Sequence, residues 1–327
     1  MDHTLKGVLI SIGTGIGVAL ATIILLYLPI LNILVLVFPV PFIIIGVKKD
    51  LTHGLLGLAS AIAVFTLLVD SLAGVYILAL TLLPIGATIY ALKKRLDPYE
   101  SFLLASISTL ASILLYLKTF SVIRASSFFD MIWQSLNSFF IEGPIDFKGI
   151  LNTYHGLGLF KNFTSEQQLA DFFINEIKAY VPFFILLTSF SLGLAIYLIS
   201  RFAIKKMGYR VINILPFKYW QLPRGMGLGL LLLLLVAFLG SEAKISLFTS
   251  VLLTIRLIIS FVFSLVGLAV IWFFLDTPRI HVALRWTIAI LVVTFFSLSL
   301  GLTLIGMMDH IFNLRRIPRA PFTVKKK

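Results

Sequence analysis

Arg256 is the residue from which chemistry can start. It interrupts Ile245 to Asp276, ISLFTSVLLTIRLIISFVFSLVGLAVIWFFLD, a run that is otherwise almost wholly apolar. An arginine at the centre of a bilayer costs about 2.5–3.5 kcal/mol even on the lenient scale, so its default reading is functional, here as a substrate-binding residue. Three acids, Asp70, Asp276 and Asp309, mark the ends of apolar runs. One acid without a base or a metal does little as a general acid or base. The five histidines, His3, His53, His155, His281 and His310, are scattered, and nothing places two at ligand spacing. With no cysteine in the chain, thiolate metal sites, Cys nucleophiles and disulfides are excluded. Neither a nucleophile elbow nor a His-Glu-x-x-His helix nor a phosphate loop is present. Gly13-Thr14-Gly15-Ile16-Gly17 and Gly225-Met226-Gly227-Leu228-Gly229 have no strand before them, so they are not dinucleotide fingerprints. The expectation is a protein that is not an enzyme and holds no cofactor or metal.

Arg256 also has an interfacial reading, and it is the preferred one. Residues 257–275 alone amount to about 19 positions, enough to cross. Arg256 then lies near the outer interface and snorkels to lipid phosphate. Glu242 and the acids of an outer segment are its available partners.

The elements that position these residues are membrane helices. Of 327 residues, 59% are hydrophobic and 13% charged, and the mean hydropathy is +1.05. A soluble domain cannot hide so much apolar surface. The fold class is therefore all-α, a polytopic helical bundle with about nine transmembrane helices. The net charge of +13 falls in clusters between apolar runs. That pattern fits a lipid bilayer with anionic headgroups and positive-inside topology. No basic soluble domain exists to bind nucleic acid.

Four regions follow. Residues 1–120 read as an N-terminal five-helix bundle. Gly7 to Val47 is long enough for two crossings, punctuated by Pro29, Pro39 and Pro41, with a break near Leu28–Asn32. Its first helix reads as a retained anchor, with no cleavage region behind it. Gly13, Gly17 and Ala21 form a small-xxx-small ridge on that helix. Internal packing is its plainer use, and docking of a membrane protein partner is the sharper one. Residues 121–180 read as an extracytoplasmic insertion with amphipathic helices. One spans Ser127 to Ile141 and stops at Glu142-Gly143-Pro144; the next starts near Thr164 or Ser165 with a capping box to Gln167 or Gln168. Asn162-Phe163-Thr164 is only a weak glycosylation match. Residues 181–224 hold the sixth helix and a basic loop with no acid between Phe202 and Arg224, the strongest cytoplasmic signal in the chain. Residues 225–327 hold three more helices, the last from Trp286 to Met308, with a turn at Ser241–Lys244 and a break at Asp276-Thr277-Pro278-Arg279. The basic tail carries Arg315, Arg316, Arg319 and Lys325-Lys326-Lys327. Nine crossings from a cytoplasmic N-terminus leave this tail outside, against the positive-inside rule. Either one apolar run does not cross or the tail breaks the rule.

Trp220-Gln221-Leu222-Pro223, leading from the basic loop into a helix, and Gly306-Met307-Met308-Asp309-His310-Ile311-Phe312-Asn313-Leu314-Arg315-Arg316, closing the last helix, resemble the YybS-like family of bacterial membrane proteins, a domain of unknown function. That family often has an acid where this chain has Asn313. The resemblance implies a multi-pass protein of the bacterial cell membrane. On residue types, Asp309 caps or pairs locally, with Asn313 one turn on and Arg316 two turns on, and anchors the helix end. Trp220, Pro223, Asp309, Arg315 and Arg316 are the structural or interface positions. The first six helices also look like the substrate-binding S component of energy-coupling-factor vitamin transporters. Gly13, Gly17 and Ala21 are similar to its docking motif, although the long insertion and three extra helices depart from the pattern. The MreD cell-shape proteins look similar at this coarse level. The implied function is binding or transport of a small-molecule ligand; the alternative is a membrane scaffold in cell-envelope or morphogenetic assembly. Fold likeness does not fix which.

Overall fold

The computed structural model describes residues 3–28, 36–142, 147–157, 163, 165–243, 246–276, 280–296 and 300–318. Several expected features lie outside the described residues: the break after Leu28, the Gly143-Pro144 stop, the ends of the glycosylation match, Lys244, Thr277 to Arg279, and the tail from Arg319. The chain forms two compact units, one of 1–178 and 184–213, the other of 179–183 and 214–327.

In the first unit, α1 (His3–Leu26), α3 (Leu51–Leu68), α4 (Ala73–Lys94), α5 (Pro98–Arg124) and α8 (Glu166–Lys206) are long and apolar enough to cross a membrane. Between α1 and α3 lies the short, largely buried α2 (Val40–Lys48). At nine residues it covers about 13 Å, far less than a bilayer core. The chain has nevertheless returned by then to the face where it began. A Cβ on Gly7 would sit 2.7 Å from Lys49 Nζ and from His53 Nε2. Lys93, at the end of α4, donates to the Lys49 carbonyl at 3.1 Å on the same face.

The first helix packs differently from the internal use expected of its ridge. Its buried face is Ser11, Gly15, Ala19 and Thr22. A Cβ on Gly15 would lie 2.1 Å from the Gly57 carbonyl oxygen, so α1 and α3 meet at backbone distance. Ser60 donates across this seam to the Ile12 carbonyl at 3.2 Å. Gly13, Gly17 and Ala21 are offset by two residues, about 200° round the helix, and face away.

The insertion has α6 (Phe128–Glu142), as its aromatic periodicity predicts, and α7 (Phe147–Gly156), which the sequence reading missed. Leu151 and Leu169 anchor a small core there with Phe140, Phe163 and Phe173. Ser165 caps α8 by accepting from the Gln168 N–H at 3.3 Å. The amphipathic helix and the sixth crossing, expected as separate elements, are one helix of 41 residues that continues through Pro182.

In the second unit, α9 (Arg224–Glu242) and α10 (Ser246–Leu275) form a hairpin in which Gly240 admits the Phe248 ring. Both are crossing candidates. The 30 residues of α10 run without a break. The ninth apolar run is instead two helices, α11 (Val282–Phe296) and α12 (Leu300–Phe312), with 297–299 outside the described residues. At 15 and 13 residues, about 22 and 20 Å, each falls short of a bilayer core. Seven helices among the described residues therefore have crossing length, and the protein is a polytopic helical membrane bundle.

Candidate functional site

Two arrangements in the second unit gather the charged residues. The first joins the ends of α10 and α12 to the segment before α9. Helix α12 stops at Phe312, and Asn313 takes a left-handed conformation with φ 51°. This turn brings residue 315, not 316, back over the last helical turn. Arg315 donates to Asp309 from Nη2 at 2.8 Å and from Nε at 3.2 Å, and its backbone N–H donates to the same carboxylate at 3.2 Å. Its remaining donors reach the Lys218 carbonyl at 2.6 Å and the Trp220 carbonyl at 2.8 Å. Arg316, the partner expected two turns on from Asp309, is exposed. Trp220 is half-buried and donates its indole N–H to the Leu215 carbonyl at 3.0 Å. Pro223 sits just before α9, where its missing N–H costs nothing and its carbonyl accepts from Met226 at 3.0 Å.

Asp276, one residue beyond α10, accepts from Lys218 on one oxygen and from Arg285 on the other. The Lys218 hydrogen bond, then the charges of Lys218 and Arg285, hold the Asp276 carboxyl below its ordinary range, with partial desolvation opposing. The same bond raises Lys218. Helices α10 and α12 thus both end at the Lys218–Trp220 segment, while α11 begins there through Arg285. Neither short helix is long enough to cross, so the ninth run leaves this face and comes back to it. Among the described residues the second and the ninth apolar runs thus contain no helix of crossing length.

Close helix contact supports this clasp. A Cβ on Gly306 would lie 1.9 Å from the Phe263 carbonyl oxygen, and one on Gly267 would lie 2.2 Å from that of Leu302. At so close a crossing Ser264 and Thr303 share a hydrogen bond of 3.0 Å.

The second arrangement is a groove of about 560 Å³ between α9 and α10, lined by Leu231, Leu234, Leu235, Phe238, Leu252, Leu253 and Arg256. Arg256 is exposed to it. Among the described residues of its unit it makes no hydrogen bond or ion pair, and Glu242 does not meet it. Leu231, Leu234 and Leu235 are in the middle of the 19-residue α9. Leu235 lies seven residues before Glu242, about 10 Å along the helix. Arg256 is therefore level with the middle of a crossing helix. Residues 257–275, expected to cross, are the C-terminal part of the unbroken α10, and Arg256 precedes them beside the α9 wall.

In the first unit, a groove of about 530 Å³ is lined by leucines and alanines of α3, α4 and α5, with Ser108 and Gly86. Among the described residues nothing lies within 4 Å of a Cβ built on Gly13 or Gly17, and Ala21 is exposed beside them. Asp50 caps α3, accepting from the His53 N–H at 2.9 Å with His53 Nδ1 at 2.7 Å. These bonds, the side-chain one first, hold its carboxyl below the ordinary value. The sequence reading missed this cap, the Asp276 clamp and the Ser264–Thr303 bond. An Asp three residues before a His was visible; the Ser264–Thr303 and Lys218–Asp276 bonds join residues 39 and 58 positions apart. Among the described residues no three His, Asp or Glu come together as a metal site.

No curated protein and no solved structure matches the chain. One family model does, over residues 16–310, which takes in Trp220, Pro223, Arg256 and Asp309 and stops before Arg315. The chain belongs to the family described as predicted membrane protein (DUF2232).

Proposed function

We propose that this protein binds a small molecule within the membrane, without catalysis, at the α9–α10 groove. The observation that carries the reading is Arg256: a permanent cation level with the middle of α9, in an apolar groove, with no anion among the described residues to neutralise it. A bare guanidinium at that depth is costly unless a ligand or lipid supplies the counter-charge. The S-component-like reading places the ligand in the first bundle, but the groove described there is lined by hydrocarbon save Ser108. The small-molecule reading therefore rests on the second unit, and transport on a coupling partner that the chain itself does not supply. Native mass spectrometry of the full chain, purified from its own membrane, tests the proposal. A bound species present in the wild type and lost in Arg256→Glu is expected; identical spectra for folded samples of both would refute it.

A second reading, a membrane scaffold for envelope or morphogenetic assembly, has its own observation. The Gly13, Gly17 and Ala21 ridge is exposed, with none of the described residues within 4 Å of a Cβ built on Gly13 or Gly17, as a helix-docking face requires. Because the chain has no cysteine, single cysteines at Gly13 or Gly17 give clean crosslinks. Failure of both to capture any membrane protein would count against this reading.

The basic clusters support a reading in which the protein sits in a bacterial cell membrane with the Gly7, Lys49 and Lys93 face cytoplasmic.

A further inference from the structure

We infer that the occupant of the α9–α10 groove is an anionic phospholipid, held by an acyl chain against the leucine wall and by its headgroup phosphate on Arg256. This rests on the binding role proposed for Arg256 and names the class of ligand.

Three features of the groove select an amphiphile. Its walls are leucine and phenylalanine, so a polar solute would lose its hydration without gaining hydrogen bonds there. It is open on the side where Leu231, Leu235 and Phe238 are exposed, the side from which an acyl chain enters laterally. Its volume of about 560 Å³ lies within the range of ligand sites, ~300–1,000 Å³.

Two further features select a headgroup that is anionic and lies toward one face. The guanidinium offers a planar fork of donors that matches phosphate bidentately, and it stays charged at every physiological pH. Helical side chains lean toward the N-terminus of their own helix. Arg256 therefore leans toward Ser246, the end of α10 that meets the end of α9 where Gly240 touches Phe248. Arg256 lies ten residues beyond Ser246, about 15 Å along α10, and its long side chain covers part of that distance toward the interface. A lipid whose phosphate sinks slightly meets it there, with its chain running along Leu235, Leu234 and Leu231 toward the middle of α9. In a zwitterionic lipid the headgroup's own cation competes for the same phosphate. In an anionic lipid nothing does.

The full chain is placed in nanodiscs of equal phosphatidylglycerol and phosphatidylcholine, released into the mass spectrometer, and its retained lipids are counted. The net charge of +13 attracts anionic lipid all over the basic face, so the readout is the difference between charge-matched variants. The expected result is one phosphatidylglycerol per chain retained by wild type and by Arg316→Gln, and none by Arg256→Gln. Leu235→Trp, which fills the groove and leaves the charge in place, is expected to lose the same lipid. It also keeps the test decisive if Arg256→Gln fails to fold. Equal retention in Arg256→Gln or Leu235→Trp overturns the inference, as does retention of phosphatidylcholine in place of phosphatidylglycerol. Soluble glycerol phosphate added alone is expected to leave the thermal midpoint unchanged. An Arg256-dependent rise would overturn the lipid assignment while leaving a binding role for Arg256 intact.

Discussion

Asp309 and Arg315 form an ion pair of 2.8 Å in which both side chains are almost completely buried, 3% and 0% exposed. The pair fixes the chain direction after α12 and, through the Lys218 and Trp220 carbonyls, ties that end to the segment entering α9. Arg315 gives the carboxylate three hydrogen bonds, two from the guanidinium and one from its backbone N–H. Asp309→Ala leaves a buried guanidinium unpaired, for which the expected loss is about 3–5 kcal/mol. Arg316→Ala, at an exposed position beyond the end of α12, is expected to stay within about 0.5 kcal/mol. Unfolding of both variants in detergent, followed by circular dichroism, checks the contrast. Equal losses would mean that Arg315 is not the working partner.

Asp276, between Lys218 and Arg285, makes the same region sensitive to pH. Its folded pKa is lowered, so its contribution is complete above the ordinary carboxylate pKa of about 3.9 and fades as pH falls through the lowered value. The raised Lys218 pKa works at the other end: its contribution is complete below about 10.4 and fades as pH rises through the raised value. Between these limits the clamp is insensitive to pH. Thermal melts against pH are expected to show a flat centre and two falling limbs, with the acid limb shallower in Asp276→Asn. An unchanged acid limb in that variant would remove Asp276 as its cause.

The glycines sort into two kinds with opposite outcomes. Gly306→Ala meets the Phe263 backbone and Gly15→Ala meets the Gly57 backbone, neither of which can give way as a side-chain tip can. Each is expected to destabilise by about 1–3 kcal/mol. Gly17→Ala meets nothing within 4 Å and is expected to leave stability unchanged. Thermal midpoints of the three variants decide this. A destabilised Gly17→Ala would show that the outward ridge of α1 packs within the chain.

Apolar run length and the basic clusters showed most of the fold. Seven of the nine runs fold as crossing helices, and the return of the chain to one face by Lys49 agrees with the hairpin read from Gly7 to Val47. The shape of the last run was hidden, because hydropathy from Trp286 to Met308 looks the same for one helix as for two short ones. What separates them is that Arg285 pairs with Asp276, and that Asp276 and Arg315 both reach Lys218, 58 and 97 residues away. The ridge on α1 was legible as a motif but not as a direction. Small residues recur on both faces of that helix, and only packing against Gly57 and Ser60 shows which face is used. Arg256 was legible as a costly charge, while its place in a groove against α9 needed the neighbouring helix.

The return of the ninth run gives a topology prediction. Single cysteines replacing Arg316 and Lys48 are expected to react with an impermeant maleimide from the same side of the membrane, and a cysteine replacing Ser241 from the other. Reaction of the Arg316 and Ser241 positions from one side would mean that α11 and α12 together cross.

The most direct test of the account is an electron cryomicroscopy map of the full chain in nanodiscs containing phosphatidylglycerol, compared at the α9–α10 groove between wild type and Arg256→Gln. The account predicts elongated density along Leu231, Leu234 and Leu235, with its head against the Arg256 guanidinium, in the wild type alone. Density of equal strength in both, or an Arg256 guanidinium turned onto a protein carboxylate with the groove empty, would contradict it.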